Sequence, residues 1–223
     1  MKAKKLTGEK ATEYIEDGMI IGLGTGSTAY YAIKKVGELV RNGLKIKAVP
    51  TSKETAELAA EEGIELVELA DVEALDLTID GADEVDKNFN LIKGGGGALL
   101  REKIVASATE KLIIVVDESK LVEFLGAFPL PIEITPFSWQ YTKRMVEKFS
   151  CSSEIRKEDG KIYQTDNGNY ILDCDFAKIE DPIKLTVELN KLPGVVENGI
   201  FAEMAEIVVV GYNDGRVEVL EKE

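Results

Sequence analysis

The fold of this 223-residue chain is indicated first by residues 19–28, Met-Ile-Ile-Gly-Leu-Gly-Thr-Gly-Ser-Thr. The segment starts as an apolar run of strand length and leads into residues 27–40, whose apolar side chains recur at helical spacing. The glycines between them predict a tight turn from strand to helix. Because the amides and the dipole at a helix start favour an anion, we expect this turn to bind one, with hydroxyl donors from Thr25, Ser27 and Thr28. A ligand-free turn with a Ser or Thr cap is the alternative.

The same turn argues against two kinds of nucleotide site. The dinucleotide fingerprint GxGxxG needs its third glycine one residue later than Gly26, and an acidic residue at the end of the second strand. That strand is predicted to end in Pro50-Thr51-Ser52 instead. No Gly-Lys-Ser/Thr follows the glycines, which excludes a P-loop. The turn is better suited to a monophosphate or a sugar phosphate.

Outward from this turn, apolar runs of strand length alternate with helical patterns up to residue 120. Further strands are predicted at 45–49, 64–69, 75–79 and 112–116, and further helices at 51–62 and 98–109. Strands separated by helices form right-handed βαβ units and a parallel sheet covered on both faces. We therefore predict a Rossmann-like α/β domain.

The pattern changes near Phe-Pro-Leu-Pro at residues 128–131. Strands are then predicted at 132–134, 154–156, 161–164 and 170–176, with helices at 139–149 and 183–192. Turn-forming residues between the strands are typical of hairpins. A final strand pair, 206–211 and 216–220, is predicted to return to the first domain. The predicted domains are therefore an α/β domain over 1–128 and 202–223 and an inserted small α+β domain, of the ferredoxin-like type, over 129–201.

Composition excludes several classes of function. The chain has 41 acidic and 27 basic residues and a net charge of −14, which argues against binding to nucleic-acid backbones. It has no histidine, which excludes Ser-His-Asp and Cys-His catalysis and imidazole zinc sites. Acid–base chemistry is left to Asp, Glu, Lys, Tyr or Cys. With no run of about 20 apolar residues and with Cys151 and Cys174 at no metal-binding spacing, we expect free thiols, no membrane span and a cytoplasmic location.

Asp80-Gly81-Ala82-Asp83 follows the strand predicted at 75–79. Ligands of open α/β sheets bind at the carboxyl ends of strands, so these two carboxylates could hold hydroxyls or exchange protons. A solvated turn is the alternative. Glu84 and Asp86 come next and could add to a metal site, but no second cluster of ligands accompanies them, and we expect no metal.

Lys93 is followed by four consecutive glycines, residues 94–97. Ordering four glycines costs conformational entropy, and their amides can form a nest that receives an oxyanion. A flexible linker is the alternative, although the run directly precedes a predicted helix start.

Glu102 lies in that helix, among the apolar side chains Ala98, Leu99, Val105 and Ala106. Leu100 and Ile104 form a second apolar face, so we expect the helix to be buried on both sides. Burial would raise the pKa of Glu102 from about 4.3 toward the range useful for proton transfer. Lys120, just after the strand 112–116, is expected at the same rim of the sheet as Thr25 and Asp80.

Four motifs together resemble the ribose-5-phosphate isomerase family of type A. They are GLGTGST (22–28), DGADEVD (80–86), KGGGGALLREK (93–103) and VVDESK (115–120), in this order and at compatible spacings. The resemblance includes the entrance to the inserted domain, Ile-Glu-Ile-Thr-Pro-Phe at 132–137, and so spans nearly the whole chain.

The resemblance implies interconversion of D-ribose 5-phosphate and D-ribulose 5-phosphate through an enediol(ate), a step of the non-oxidative pentose phosphate pathway, by a homodimer or homotetramer without cofactor or metal. Glu102 would move the proton between C2 and C1, while Asp80 and Asp83, with Lys93, would handle the sugar hydroxyls and ring opening. The amides of residues 94–96 would stabilise the enediolate oxygen. The other implied substrate-binding residues are Thr25, Gly26, Ser27, Thr28, Gly81, Ala82, Gly94, Gly95, Gly96 and Lys120, with Lys4 or Lys5 as a further phosphate contact.

Two alternatives share this fold class. An acyl-CoA transferase, with a glutamate nucleophile, would need basic groups for a long nucleotide, which a chain of net charge −14 does not suggest. A sugar-phosphate sensor would be expected beside a DNA-binding module, and it would have no use for Glu102 on an apolar helix face.

Overall fold

A computed structural model describes residues 2–222, so residues 1 and 223 of the predicted first domain lie outside the described part. The α-helices are α1 (Lys2–Ala11), α2 (Ala29–Arg41), α3 (Lys53–Glu61), α4 (Leu99–Ser107), α5 (Trp139–Val146) and α6 (Pro182–Asn190). The strands are β1 (Ile20–Leu23), β2 (Lys47–Pro50), β3 (Glu65–Leu66), β4 (Leu77–Gly81), β5 (Glu84–Val85), β6 (Leu91–Ile92), β7 (Leu112–Asp117), β8 (Leu130–Ile134), β9 (Ser152–Ile155), β10 (Lys157–Glu158), β11 (Lys161–Ile162), β12 (Tyr170–Asp175), β13 (Val195–Asn198), β14 (Ile200–Phe201), β15 (Ile207–Gly211) and β16 (Val217–Glu221). None of the described helices is both long and apolar enough to cross a membrane.

The chain divides into two compact units. The first contains residues 2–82, 101–121 and 204–222, and the second contains residues 83–100 and 122–203. This division departs from the predicted domain boundaries mainly at 83–100 and 122–128, which belong to the second unit. The reason is long-range pairing: β5 and β6 form a three-stranded antiparallel sheet with β14 rather than joining the parallel sheet.

The first unit is built on a seven-stranded sheet in the order β16-β15-β7-β4-β1-β2-β3. Its strands are parallel except for β16, which pairs antiparallel with β15 at one edge. Numbered along the chain, the parallel strands have the Rossmann order 3-2-1-4-5-6, which confirms the predicted fold class. The order reverses between β1 and β4, where Leu23 is in register with Ile79. The segments that follow these two strands therefore lie side by side, at the place where such sheets bind ligands.

Helix α1 was not predicted, because its sequence is polar and contains a glycine. The helix is nevertheless buried at Thr7, Gly8 and Ala11. A Cβ on Gly8 would lie 2.7 Å from the backbone nitrogen of Ala32, so glycine lets the two helices approach closely. The burial of this face, rather than helix propensity, stabilises α1.

The second unit contains a four-stranded antiparallel sheet in the order β13-β8-β12-β9. With α5 after β8 and α6 after β12, the chain runs β-α-β-β-α-β with the sheet order 4-1-3-2, which is the ferredoxin-like arrangement predicted. The apolar core on one face of this sheet includes Ile132, Leu172 and Cys174. Cys174 is buried and Cys151 half-buried, and both are free thiols.

Candidate active site

In the first unit, the carboxylate of Asp80 lies directly on the glycine turn that follows β1. Its Oδ1 accepts hydrogen bonds from the backbone N–H of Thr25 at 3.1 Å and of Gly81 at 2.7 Å. A Cβ on Gly24 would lie 2.1 Å from this oxygen, so the approach requires glycine at that position. Asp80 is 1% exposed. We call Gly24, Thr25 and Asp80 the strand-end cluster.

Hydroxyl groups from the start of α3 hold the strand-end cluster in place. The Thr25 hydroxyl lies 2.8 Å from that of Thr51 and 2.9 Å from that of Ser52. Thr55 donates to the carbonyl of Gly24 at 2.9 Å, and Ser52 caps α3 by accepting from the Thr55 N–H at 3.1 Å. The sequence reasoning did not assign Thr51, Ser52 and Thr55 to the site. The run of hydroxyl residues after a strand was the available signal.

The rest of the predicted anion turn is more open. Gly26 and Ser27 are exposed, whereas Thr28, just before α2, is buried. The Ser27 hydroxyl accepts a hydrogen bond from Lys4 Nζ at 2.8 Å, and the same ammonium lies 3.9 Å from Asp117. Of the two N-terminal lysines considered, Lys4 therefore reaches this turn, while Lys5 pairs with Glu9 at 3.8 Å.

Lys120 is half-buried at the end of a short 3-10 turn, Glu118–Lys120, that follows β7. Asp117 caps this turn by accepting from the N–H of Ser119 at 3.1 Å. Glu118 accepts from the backbone N–H and the side-chain amide of Asn213, at 3.1 and 2.8 Å. The loop between β15 and β16 therefore supports the turn that carries Lys120.

Glu102 is 4% exposed and lies on the buried face of α4 with Leu99, Val105 and Ala106. This face packs on β1, since a Cβ on Gly22 would lie 2.8 Å from a methyl group of Val105. The expectation that α4 is buried on both sides was wrong: Leu100 is half-buried and Ile104 is 47% exposed. A helix that covers a sheet buries only the stripe toward that sheet, and Glu102 belongs to that stripe.

In the second unit, the four glycines form an ordered turn and not a linker. The Gly97 N–H donates to the carbonyl of Gly94 at 2.9 Å, and both residues have positive φ, +103° at Gly94 and +82° at Gly97. The Gly95 N–H donates to Asp83 Oδ2 at 2.7 Å. We call residues 94–97 the glycine loop.

Lys93, directly before the glycine loop, is 2% exposed. Its backbone N–H donates to the carbonyl of Gly199 at 2.9 Å, and its Nζ lies 5.4 Å from the centre of the Phe201 ring. Burying an ammonium group costs free energy unless its charge is compensated. Its burial and its place directly before the glycine loop make Lys93 a candidate for a functional role. Gly81 and Ala82, the remaining predicted contacts, are half-buried.

The carboxylates considered as further metal ligands serve other purposes. Glu84 accepts backbone hydrogen bonds from Gly126 at 2.7 Å and from Phe128 at 2.6 Å. Asp86 accepts from the N–H groups of Asn88 and Asn90, at 2.8 and 2.9 Å. Both side chains thus stabilise loops of the second unit, and neither presents an open set of ligand oxygens.

Three residues that the sequence reasoning did not assign to the site surround the glycine loop. Arg156 Nη1 donates to the carbonyls of Gly94 at 2.9 Å and Gly95 at 3.1 Å, and Asp173 pairs with the same guanidinium. Tyr163 contacts the loop at Gly97, where a Cβ would lie 2.2 Å from the phenol oxygen. No local pattern marks these positions, because their role depends on contacts between distant parts of the chain.

The fold, the strand-end cluster and the glycine loop are together typical of an α/β enzyme that binds a small ligand. A family model described as ribose 5-phosphate isomerase A (phosphoriboisomerase A) matches residues 47–215. The chain is 53% identical to ribose-5-phosphate isomerase A of Ruegeria sp. (strain TM1040) over 226 residues, covering 98% of this chain and 86% of that protein. It is 52% identical to the enzyme of Bacillus mycoides (strain KBAB4), covering 96% of this chain and 98% of that one.

Solved structures agree with this assignment. Ribose 5-phosphate isomerase from Plasmodium falciparum superposes with a TM-score of 0.96 at 41% identity, covering 100% of both chains. A D-ribose-5-phosphate isomerase in complex with phospho-erythronic acid gives a TM-score of 0.95 at 45% identity, covering 99% of this chain and 98% of that one. The chain therefore belongs to the ribose-5-phosphate isomerase A family and is an isomerase, which confirms the resemblance. The reaction of this family is the reversible isomerisation of ribose 5-phosphate and ribulose 5-phosphate.

Proposed function

We propose that this protein isomerises D-ribose 5-phosphate and D-ribulose 5-phosphate through an enediol(ate), with Glu102 as the base that moves the proton. The observation that carries the assignment of Glu102 is its burial, 4% exposed, on the apolar face of α4. A carboxylate in such a place has given up its hydration, which favours proton transfer over a purely structural role. In the proposed reaction Glu102 takes the proton from C2 of the aldose and returns it to C1.

The negative charge that develops on the carbonyl oxygen needs hydrogen-bond donors. We assign this role to the amides of Gly94, Gly95 and Gly96 and to the ammonium of Lys93. In support, the Gly95 N–H binds an anionic oxygen, that of Asp83, at 2.7 Å, and this hydrogen bond would have to be exchanged for one to the substrate oxygen. One oxyanion donor contributes about 10²–10³ in rate, and a positioned base about 10²–10⁴. These groups supply the parts that the reaction requires without a metal or cofactor.

Ring opening and binding of the sugar hydroxyls are assigned to Asp80 and Asp83. Asp80 is held by two backbone N–H donors on one oxygen, at 3.1 and 2.7 Å, so its carboxylate is oriented before a substrate binds. Gly81 and Ala82 are proposed as backbone contacts to the substrate. Such pre-orientation lowers the entropy cost of reaching a reactive geometry.

The phosphate and the adjacent chain of the substrate are assigned to residues 25–28 and to Lys120, with Lys4 as a further cation. The Lys4 ammonium lies 2.8 Å from the Ser27 hydroxyl, so a cation and a hydroxyl donor already meet at the glycine turn. Phospho-erythronic acid, bound in a solved relative, supports this kind of ligand. Its carboxylate is planar and anionic, as an enediolate is, and it carries a phosphate on the same small chain.

The first test follows the conversion of ribose 5-phosphate to ribulose 5-phosphate with and without EDTA. Turnover that EDTA does not change is expected. Turnover lost with EDTA would contradict the metal-free mechanism, and no turnover would contradict the proposed activity.

Glu102→Gln tests the proposed base, because an amide keeps the shape of the side chain but cannot take a proton. We expect a loss of kcat of about 10²–10⁴-fold with binding of ribose 5-phosphate retained in calorimetry. Glu110→Gln is the matched control, since Glu110 is an exposed carboxylate three residues beyond the end of α4. Retained activity in Glu102→Gln would remove this residue as the base.

We also propose that the protein acts in the cytoplasm as a homodimer or homotetramer and binds no nucleic acid. Its net charge of −14 supports the last point, because it repels a phosphate backbone. Light scattering of the purified protein measures the number of subunits, and a strictly monomeric mass would contradict the proposed assembly.

A further inference from the structure

We propose that Arg156, held by Asp173, is a positioning residue for the isomerisation: it orients the peptide groups of the glycine loop so that their N–H groups face the developing oxyanion. The inference rests on the proposed function of the loop. It adds Arg156 and Asp173, from the inserted domain, to the residues that determine the rate of isomerisation.

The guanidinium of Arg156 is itself fixed. Its Nε donates to Asp173 Oδ2 at 2.9 Å, and its Nη2 donates to Asp173 Oδ1, so the pair is bidentate. The two side chains are 15% and 28% exposed. Arg156 directly follows β9, and Asp173 lies on β12, which is paired with β9. Two neighbouring strands therefore aim the remaining nitrogen, Nη1, at the glycine loop.

Nη1 then determines which way two peptide groups point. It donates to the carbonyl of Gly94 at 2.9 Å and to the carbonyl of Gly95 at 3.1 Å. In a trans peptide the C=O and the following N–H point in opposite directions. The N–H groups of Gly95 and Gly96 must therefore point away from Arg156. The Gly95 N–H does so and meets the carboxylate of Asp83 at 2.7 Å.

Tyr163 completes the support of the loop. Its ring centre lies 5.9 Å from the guanidinium carbon of Arg156, and its N–H donates to the Arg156 carbonyl at 3.0 Å. Because its hydroxyl occupies the space where a side chain at Gly97 would lie, it blocks one direction of loop movement. Burial raises the pKa of this phenol, so it stays neutral beside the loop.

Four glycines have many backbone conformations, and only a few present two N–H groups on one side. An arginine can hold two carbonyls through one nitrogen while two other nitrogens bind a carboxylate, whereas a lysine has a single nitrogen and cannot make the bidentate pair as well. This geometry explains why an arginine, rather than any cation, stands behind the loop.

The test compares Arg156→Lys and Asp173→Asn with Arg144→Lys, a control at an exposed arginine of the same unit that stacks on Tyr141. In both test variants we expect kcat to fall about 10–100-fold while KM changes less than about threefold. Affinity for phospho-erythronic acid should fall in parallel with kcat. Affinity for ribitol 5-phosphate should stay unchanged, because this compound has no planar anionic group at the reacting carbons. The control should behave as the unmodified protein.

The double variant gives an independent readout. If Arg156 and Asp173 act as one unit, Arg156→Lys with Asp173→Asn should lose no more activity than the worse single variant. Additive losses of activity in the double variant, or an unchanged kcat in the single variants, would overturn the inference. An equal loss of affinity for phospho-erythronic acid and for ribitol 5-phosphate would also overturn it, because it indicates a general disturbance of the structure. If the unmodified protein turns over ribose 5-phosphate and the variants do so equally well, only this inference is overturned. The proposed function then remains intact.

Discussion

At the scale of single residues, a glycine and an aspartate lie in close contact both in the strand-end cluster and at the glycine loop. A Cβ would lie 2.1 Å from an oxygen of Asp80 if placed on Gly24, and 2.5 Å from an oxygen of Asp83 if placed on Gly95. In each pair the carboxylate lies against bare backbone and accepts an N–H from the turn. The glycines of these motifs are therefore needed for close approach of a carboxylate, in addition to any contact with substrate.

Lys4 and Lys5 offer a prediction at this scale, because they are neighbours with different partners. Lys4 reaches Ser27 at 2.8 Å, whereas Lys5 pairs with Glu9. We expect Lys4→Met to raise KM for ribose 5-phosphate about tenfold, the loss of about one charged hydrogen bond to the phosphate, with little change in kcat. Lys5→Met is the matched control and should leave KM unchanged. The measurement is steady-state kinetics at low salt. Equal changes of KM in Lys4→Met and Lys5→Met would contradict the assignment of Lys4 to the phosphate.

At the scale of elements, close helix contacts decide where the first unit tolerates change. Gly37 of α2 is buried against Glu62, the C-cap residue of α3. Alanine is favoured over glycine in a helix by about 1 kcal/mol. A Cβ on Gly37 would, however, lie 2.5 Å from the Cβ of Glu62, an atom that can move only with its backbone.

We therefore expect Gly37→Ala to lower the free energy of unfolding by about 1 kcal/mol, since overpacking costs about 1–3 kcal/mol and exceeds the gain in propensity. Urea denaturation followed by circular dichroism measures this change. Glu38→Ala, at an exposed position one residue further along α2, is the control and should stay within about 0.5 kcal/mol of the unmodified protein. A more stable Gly37→Ala variant would show that the α2–α3 contact relaxes.

At the scale of the whole molecule, paired carboxylates make stability depend on pH. Hydrogen bonds from Lys34 and then Arg41 lower the pKa of Glu62, and a hydrogen bond from Lys143 lowers that of Glu147. A lowered pKa means that the unfolded chain binds more protons than the folded one between the two pKa values. The stabilisation is fully present above the unfolded pKa of about 4.3 and is lost as pH falls through the folded pKa.

Urea denaturation between pH 3 and 7 should thus show a free energy of unfolding that decreases below about pH 4.3. Glu62→Gln should cost about 1 kcal/mol at pH 7 and make this decrease shallower. Glu65→Gln, whose pair with Lys47 at 3.7 Å is exposed on both sides, is the control for charge removal. An unchanged pH dependence in Glu62→Gln would show that its ion pairs do not stabilise the folded state.

Local sequence patterns were sufficient to predict the parallel sheet, the ferredoxin-like insertion, and the motifs of the strand-end cluster and the glycine loop. Apolar runs of strand length predicted β1, β4 and β7. Glycines between a strand and a helix predicted the turn after β1, and four glycines after Lys93 predicted the glycine loop. Helical spacing placed Glu102 among apolar side chains, where the structure also has it. These features depend on residues within a few positions of each other, so the sequence by itself determined them.

Only the tertiary structure decided the features that depend on distant partners. The polar helix α1 is stabilised by close contact with α2 at Gly8. β6 pairs with β14, more than 100 positions away, and β5 joins this small sheet through β6 rather than the parallel sheet. Arg156 holds carbonyls of the glycine loop from 62 positions along the chain, at Gly94. No local pattern encodes such pairings, because the free energy that selects them comes from contacts formed only when the chain has folded.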